Sequence, residues 1–264
     1  NNNTGTIALL SSGGINGGSG TVLMRAANYA FGGADRTITT TGVLTIQPDA
    51  DENSFASSFD NQYLNPVSVT GLTLGKSSNA SAITLSRAIS LSGPVSIYGG
   101  SIDVNANITA NSGNILLDAD TGSTLNQSST GILLDDAITI ETVTSGNLTL
   151  IGRSGDTGSG FDGIDASSAN TTTLRSAGNL TLQGYSYAAS GSGRGVDLNN
   201  DVIAASGTVS MTGQHNTGAT YALSLSGSTS ITAGTGVTLE SLNNNTGTIA
   251  LLSGLSLIHI SEPT

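Results

Sequence analysis

The sequence predicts an all-β chain wound as a parallel β-solenoid. Three observations carry that expectation: a recurring glycine cassette, similar steps between its copies, and a composition poor in helix formers. The cassette is Gly, a variable residue, then apolar residues at alternating positions. It reads Gly5-Thr6-Ile7-Ala8-Leu9, Gly20-Thr21-Val22-Leu23-Met24, Gly113-Asn114-Ile115-Leu116-Leu117, Gly146-Asn147-Leu148-Thr149-Leu150, Gly178-Asn179-Leu180-Thr181-Leu182 and Gly207-Thr208-Val209-Ser210-Met211. Looser copies begin at Gly42, Gly71, Gly93 and Gly236. From Gly146 the steps are thirty-two, twenty-nine and twenty-nine residues. Each is too long for one hairpin and suits one solenoid coil, in which short strands and corners return the chain one strand spacing along the axis.

Gly, Ser, Thr and Asn dominate, and all four are poor helix formers. A hydrophobic share of 36% is low for a globular core. It suffices for a rod that needs Val, Ile or Leu only at alternate strand positions. Seven basic residues against eighteen acidic ones give a net charge of −11. Such a surface neutralises few phosphates, which excludes nucleic acid as a partner and weakens any pull toward anionic lipid. There is no apolar run long enough to cross a bilayer, so no membrane insertion is expected. With no Cys in the chain, neither disulfides nor thiolate-bound zinc staple it.

Taken in order, the cassettes lie on short strands bounded by Gly, Asn, Asp and Ser corners. Strand density is highest from Val67 to Ala110, over Val67-Ser68-Val69, Leu72-Thr73-Leu74, Ala82 to Leu85, Ala88 to Leu91, Val95-Ser96-Ile97, Ile102-Asp103-Val104 and Asn107-Ile108-Thr109. The expected inward residues are Ile83, Leu85, Ile89, Leu91, Val95, Ile97, Ile102, Val104, Ile115, Leu148, Leu150, Leu180, Leu182, Val209 and Met211. Four less regular stretches, Asp49 to Asn65, Gly152 to Asn170, Gln183 to Arg194 and Gln214 to Thr220, hold most of the aromatics. They are expected to bulge as loops from the corners.

Residues 1–254 read as one β-helix repeat region, an uncapped fragment of a longer solenoid. Asn1 to Ser11 recurs identically as Asn243 to Ser253, either a tandem module or a repeat that confused a sequence assembly. Residues 255–264, Leu-Ser-Leu-Ile-His-Ile-Ser-Glu-Pro-Thr, break the pattern. They match the translation of a sequencing-library adapter, so they are expected to be a non-native tail outside the fold.

The run Gly71-Leu72-Thr73-Leu74-Gly75-Lys76, Ala82-Ile83-Thr84-Leu85, Gly93 to Gly100, Ser101 to Ala110 and Gly113-Asn114-Ile115-Leu116-Leu117 resembles the repeats of filamentous haemagglutinin-like exoproteins, the large bacterial adhesins of two-partner secretion. The resemblance covers most of residues 1–254. It implies a right-handed parallel β-helix exported through an outer-membrane transporter partner and carried on the cell surface or secreted. The function it implies is a structural and adhesive stalk touching host-cell or matrix glycans and proteins. The amino-terminal secretion domain of the family is absent from these residues.

The alternative is a pectin lyase-like, polysaccharide-degrading β-helix enzyme. Asp135-Asp136 is its best material, since paired carboxylates serve as general acid and base. With His215 the only histidine outside the tail and Lys76 the only lysine, an adjacent pair on an extended strand reads as a structural corner instead. Arg153, Arg175 and Arg194 would serve a lyase only if stacked on one face; the expectation is that each caps a corner or pairs with an Asp. Asp156, Asp162 and Asp165 offer oxygen ligands of the type calcium takes, but a single imperfect copy of a calcium-binding repeat shares no ion between turns. Asn107, Asn147 and Asn179 open Asn-x-Thr triplets yet sit inside strand cassettes, where ladder roles are expected rather than glycan attachment. The expectation is therefore a non-enzyme with no catalytic residue, no metal site and no cofactor.

Overall fold

The computed structural model describes all residues except 1–4, 11–13, 50–51, 120–128, 136, 168–169, 189, 216–220, 243–247, 253–255 and 260–264. Among the described residues every regular element is a β-strand, and the strands pair in parallel. Every paired strand has its partner three strands away along the chain, so each coil lays down three strands and the chain is a parallel β-helix with three faces.

Face 1 begins with Thr6–Ala8 and Asn28–Ala30, which form a two-stranded sheet. It continues as an eight-stranded sheet from Phe59–Asp60 to Ile249–Leu251. Face 2 opens with a three-stranded sheet, Ile15–Asn16, Arg36–Thr39 and Leu64–Val67, followed by seven strands from Ile89–Leu91 to Ser256–His259. Face 3 is one nine-stranded sheet, unbroken from Val22–Arg25 to Gly236–Ser241.

All the cassettes from Gly20 to Gly236 fall on face 3, and the reason is their two apolar positions. The first forms a ladder through Val22, Leu44, Leu72, Val95 and Ile115 to Leu148, Leu180, Val209 and Val237. The second runs in the same way from Met24 and Ile46 to Met211 and Leu239. Residues between them turn outward and are chiefly Thr and Ser, such as Thr73, Thr149, Thr181 and Ser210. All fifteen expected inward residues are buried. They belong to one hydrophobic cluster along the rod, each fully buried aliphatic side chain contributing about 1.5–3 kcal/mol.

The corner between faces 3 and 1 is tight because glycines fill it. A Cβ at Gly152 would overlap the carbonyl oxygen of Gly163, and one at Gly184 that of Gly195. Here the strand backbones approach more closely than any side chain allows.

The structure departs from the sequence expectation in five respects. Coil length varies, from twenty residues between Gly93 and Gly113 to thirty-three between Gly113 and Gly146, because corners absorb different lengths while strands keep their register. The expected strand Val67-Ser68-Val69 is cut short: Val67 ends the face 2 strand and Ser68 turns the corner at φ 58°, a left-handed value. Phe55 and Phe59 do not bulge outward: both are 4% exposed and pack with Tyr29 and Phe31, ring centroids 5.5–6.0 Å apart. Their rings pack together inside the first coils, where apolar bulk outweighs the polar loop signal. The remaining irregular stretches hold parts of strands, including Leu148–Arg153, Ile164–Ala166, Leu180–Ser186 and Thr208–His215. In the tail, Ser256–His259 pairs with Ser230–Ala233, since an open sheet edge accepts an extended segment.

Candidate functional site

The strongest cluster of ionisable groups lies on the outer side of face 1. Strands Ile164–Ala166 and Val196–Asn199 set Asp165 directly beside Asp197. The corner entering the first of them brings in Asp162, and one oxygen from each of the three carboxylates lies within 4.8 Å of the others. Asp162 is buried, and its Oδ1 accepts a hydrogen bond from the Arg194 backbone N–H. Arg194 Nη1 forms an ion pair with Asp197 Oδ2. Asp197 Oδ1 is buried with no hydrogen-bond partner among the described residues.

Burial pushes the Asp162 carboxyl up to about 7, and the charges of Asp165 and Asp197 add to the rise. Burial also raises Asp197, with the Arg194 guanidinium opposing it. The niche offers only oxygen donors, the set a hard divalent cation takes. The Arg194 guanidinium already supplies positive charge to it.

The expected calcium trio is thus split. Asp162 and Asp165 converge, whereas Asp156 lies outside the cluster and Asp197 takes the third position. Asp197 was open to discovery from the repeat, because Gly163-Ile164-Asp165-Ala166 and Gly195-Val196-Asp197-Leu198 share one pattern a coil apart.

Arg153, Arg175 and Arg194 do not share a face. Arg153 ends a face 3 strand, donates from Nη1 to Asp118 Oδ1 at 2.9 Å, and lies 5.6 Å from the Tyr185 ring centroid. Arg175 is exposed on face 2, beside Glu141 in register. With Val143 and Ala204 it lines a shallow open hollow of about 350 Å³. Arg194 belongs to the acidic niche.

Asp135 is exposed at a corner, held by its N–H donating to the Val104 carbonyl at 3.0 Å. Asp136 lies outside the described residues, so the expected divergence of the pair falls there too. His215 is buried at the end of its strand, and Lys76 Nζ donates to the Glu52 carbonyl oxygen.

The asparagines form the ladder expected of them. Asn114 Oδ1 accepts from the Asn147 N–H at 2.9 Å, Asn147 Oδ1 from the Asn179 N–H at 2.8 Å, and Asn179 Oδ1 from the Thr208 N–H at 2.9 Å. Asn107 Oδ1 does the same for Thr139 at 2.8 Å.

A buried acid that the sequence reading missed is Asp201, which accepts from the N–H groups of Thr172 and Asn199 at 3.0 and 2.9 Å. Burial pushes it up to about 7, against the pull of those two hydrogen bonds. No protein-family model, curated protein or solved structure matches the chain.

Proposed function

We propose that this chain is a structural and adhesive stalk segment of a secreted bacterial surface exoprotein. In that role the rod spaces and displays contacts to host-cell or matrix glycans and proteins, and an outer-membrane transporter exports it. The observation that carries this reading is face 3: nine strands in unbroken register with two continuous apolar ladders. Such a stack makes length and stiffness its product. Its outward rows of Thr, Ser and Asn present hydroxyls and amides at regular spacing, the groups that meet sugar hydroxyls and peptide amides alike.

The test is binding of beads coated with the purified chain to epithelial cells and to biofilm matrix. Saturable retention, competed by free chain, is the expected result. Cleavage of polygalacturonate or another acidic glycan by the chain, lost in Asp135→Ala, would overturn the reading in favour of a β-helix enzyme.

A further inference from the structure

Between faces 2 and 3, in the middle of the rod, the chain builds a step. Five residues separate Glu141 from Gly146 at this corner, whereas three separate Arg175 from Gly178 and Ala204 from Gly207 in the two coils that follow. The extra length enters as a β-bulge. Ala110 pairs with Thr142 and Ser112 with Ser145, so Val143 and Thr144 together stand opposite Asn111. The bulge pushes Val143 outward, where it is 49% exposed. Beside it the small side chains of Ala177 and Ala204 leave the shorter coils recessed, and the hollow of about 350 Å³ lies against the step.

Buried hydroxyls hold the step in place. Thr142 Oγ1 donates to the Gly146 carbonyl at 3.0 Å and accepts from the Ala177 N–H at 2.9 Å, which ties the long corner to the next one. Ser176 Oγ donates to the Asn179 carbonyl at 2.8 Å and accepts from the Gly178 N–H at 3.2 Å. With these groups satisfied by the chain itself, the hollow is formed before any ligand arrives.

Two opposite charges border it. Glu141 and Arg175 are register partners on neighbouring strands of face 2, and both turn outward, with Ala204 next in the row. Cross-strand neighbours of opposite charge ordinarily pair. These do not: the ion pairs among the described residues are Arg87–Asp35, Arg153–Asp118 and Arg194–Asp197, and neither the Glu141 nor the Arg175 side chain makes a hydrogen bond there. An acceptor-only group and a donor-only group thus stand side by side at the hollow, their backbones one strand spacing, ~4.8 Å, apart.

We propose that this hollow binds one neutral sugar ring of a glycan, an inference that rests on the adhesive reading for its ligand class. One ring hydroxyl donates to the Glu141 carboxylate while its neighbour accepts from the Arg175 guanidinium, both being charge-assisted hydrogen bonds. The carbon–hydrogen face of the ring rests on Val143, Ala177 and Ala204. Charge selects a neutral sugar. Glu141 and Arg175 sum to zero, so a sugar carboxylate loses to one what it gains from the other, on a chain of net charge −11. The volume lies at the small end of ligand pockets and suits a single ring.

Titration of the full chain with maltotriose, cellotriose and acetylated chitotriose, and with trigalacturonate as the acidic counterpart, tests this by saturation-transfer NMR, with far-UV circular dichroism as the check on folding. At least one neutral trisaccharide should bind saturably, and trigalacturonate at least tenfold more weakly. Arg175→Met keeps the stem, removes the donors, and should weaken neutral-sugar binding at least tenfold. Ala204→Phe fills the hollow and should abolish it, whereas Leu133→Ser, on face 1, should leave it unchanged. Failure of every neutral trisaccharide to bind overturns the site, and bead retention that persists would then leave the adhesive reading standing. Binding that survives both Arg175→Met and Ala204→Phe, or that favours trigalacturonate, also overturns the site. Sugar binding with these losses but without bead retention supports the site while the adhesive reading fails.

Discussion

Asp162 and Asp201 are carboxyls set below the surface of the rod, and this gives the molecule a pH response. Both have folded-state pKa values near 7, against an ordinary 3.8. Between those values the folded chain holds protons that the unfolded chain has released, so stability is full at the acid end and falls as pH rises through 7. Thermal unfolding should therefore show a higher midpoint at pH 5 than at pH 8. Asp162→Asn keeps an acceptor for the Arg194 N–H and removes the repulsion from Asp165 and Asp197. It should narrow that difference and raise the pH 8 midpoint by at least about 2–4 °C, the shift that each kcal/mol gives in a chain of this size. A variant with an unchanged pH profile would show that Asp162 is ionised without strain. The sequence made Asp165 and Asp197 legible as coil neighbours through their shared Gly-apolar-Asp-apolar pattern. Asp162 was legible as a partner of Asp165 from their closeness in sequence, whereas Asp156, read with them from the same irregular stretch, lies outside the cluster, because corners carry no period.

Strands were the legible elements, since an apolar residue at every second position has only one way to be buried in a three-faced coil. Register followed from the same residues: Val95, Ile115, Leu148 and Leu180 align because a slip of one would turn each outward. Corners were legible only where a side chain repeats. The Gly-Asn cassettes reveal the ladder of Asn114, Asn147 and Asn179, whereas Ser68 gives no warning of its left-handed turn. Phe55 and Phe59 read as loop residues because polar neighbours surround them, and their burial is decided by Tyr29 and Phe31 from an earlier coil. The ladder makes a direct prediction. Asn147→Ala leaves the Asn179 N–H without its acceptor and should cost ~0.5–1.5 kcal/mol in urea unfolding, while Asn147→Asp keeps an acceptor and should cost less. Equal losses would mean that the amide ladder does not hold the corner.

At the scale of the whole molecule, the even spread of cassettes announced one continuous stack, and the single hydrophobic cluster from Val22 to Ala233 agrees. The number of strands per coil was not legible, because cassettes mark only face 3 while faces 1 and 2 carry weaker patterns. The central claim is that position along the rod follows coil number rather than sequence separation. The chain has no native Cys, so paired nitroxide labels are cleanly placed at outward residues of face 3. With one label at Thr45 and the other at Thr149, Thr181, Ser210 or Thr238, four to seven coils away in register, electron–electron dipolar spectroscopy should give separations rising evenly. The expected values are about 19, 24, 29 and 34 Å, or ~4.8 Å for each coil. Distances that level off, or that fail to increase in that order, would contradict the β-helix itself.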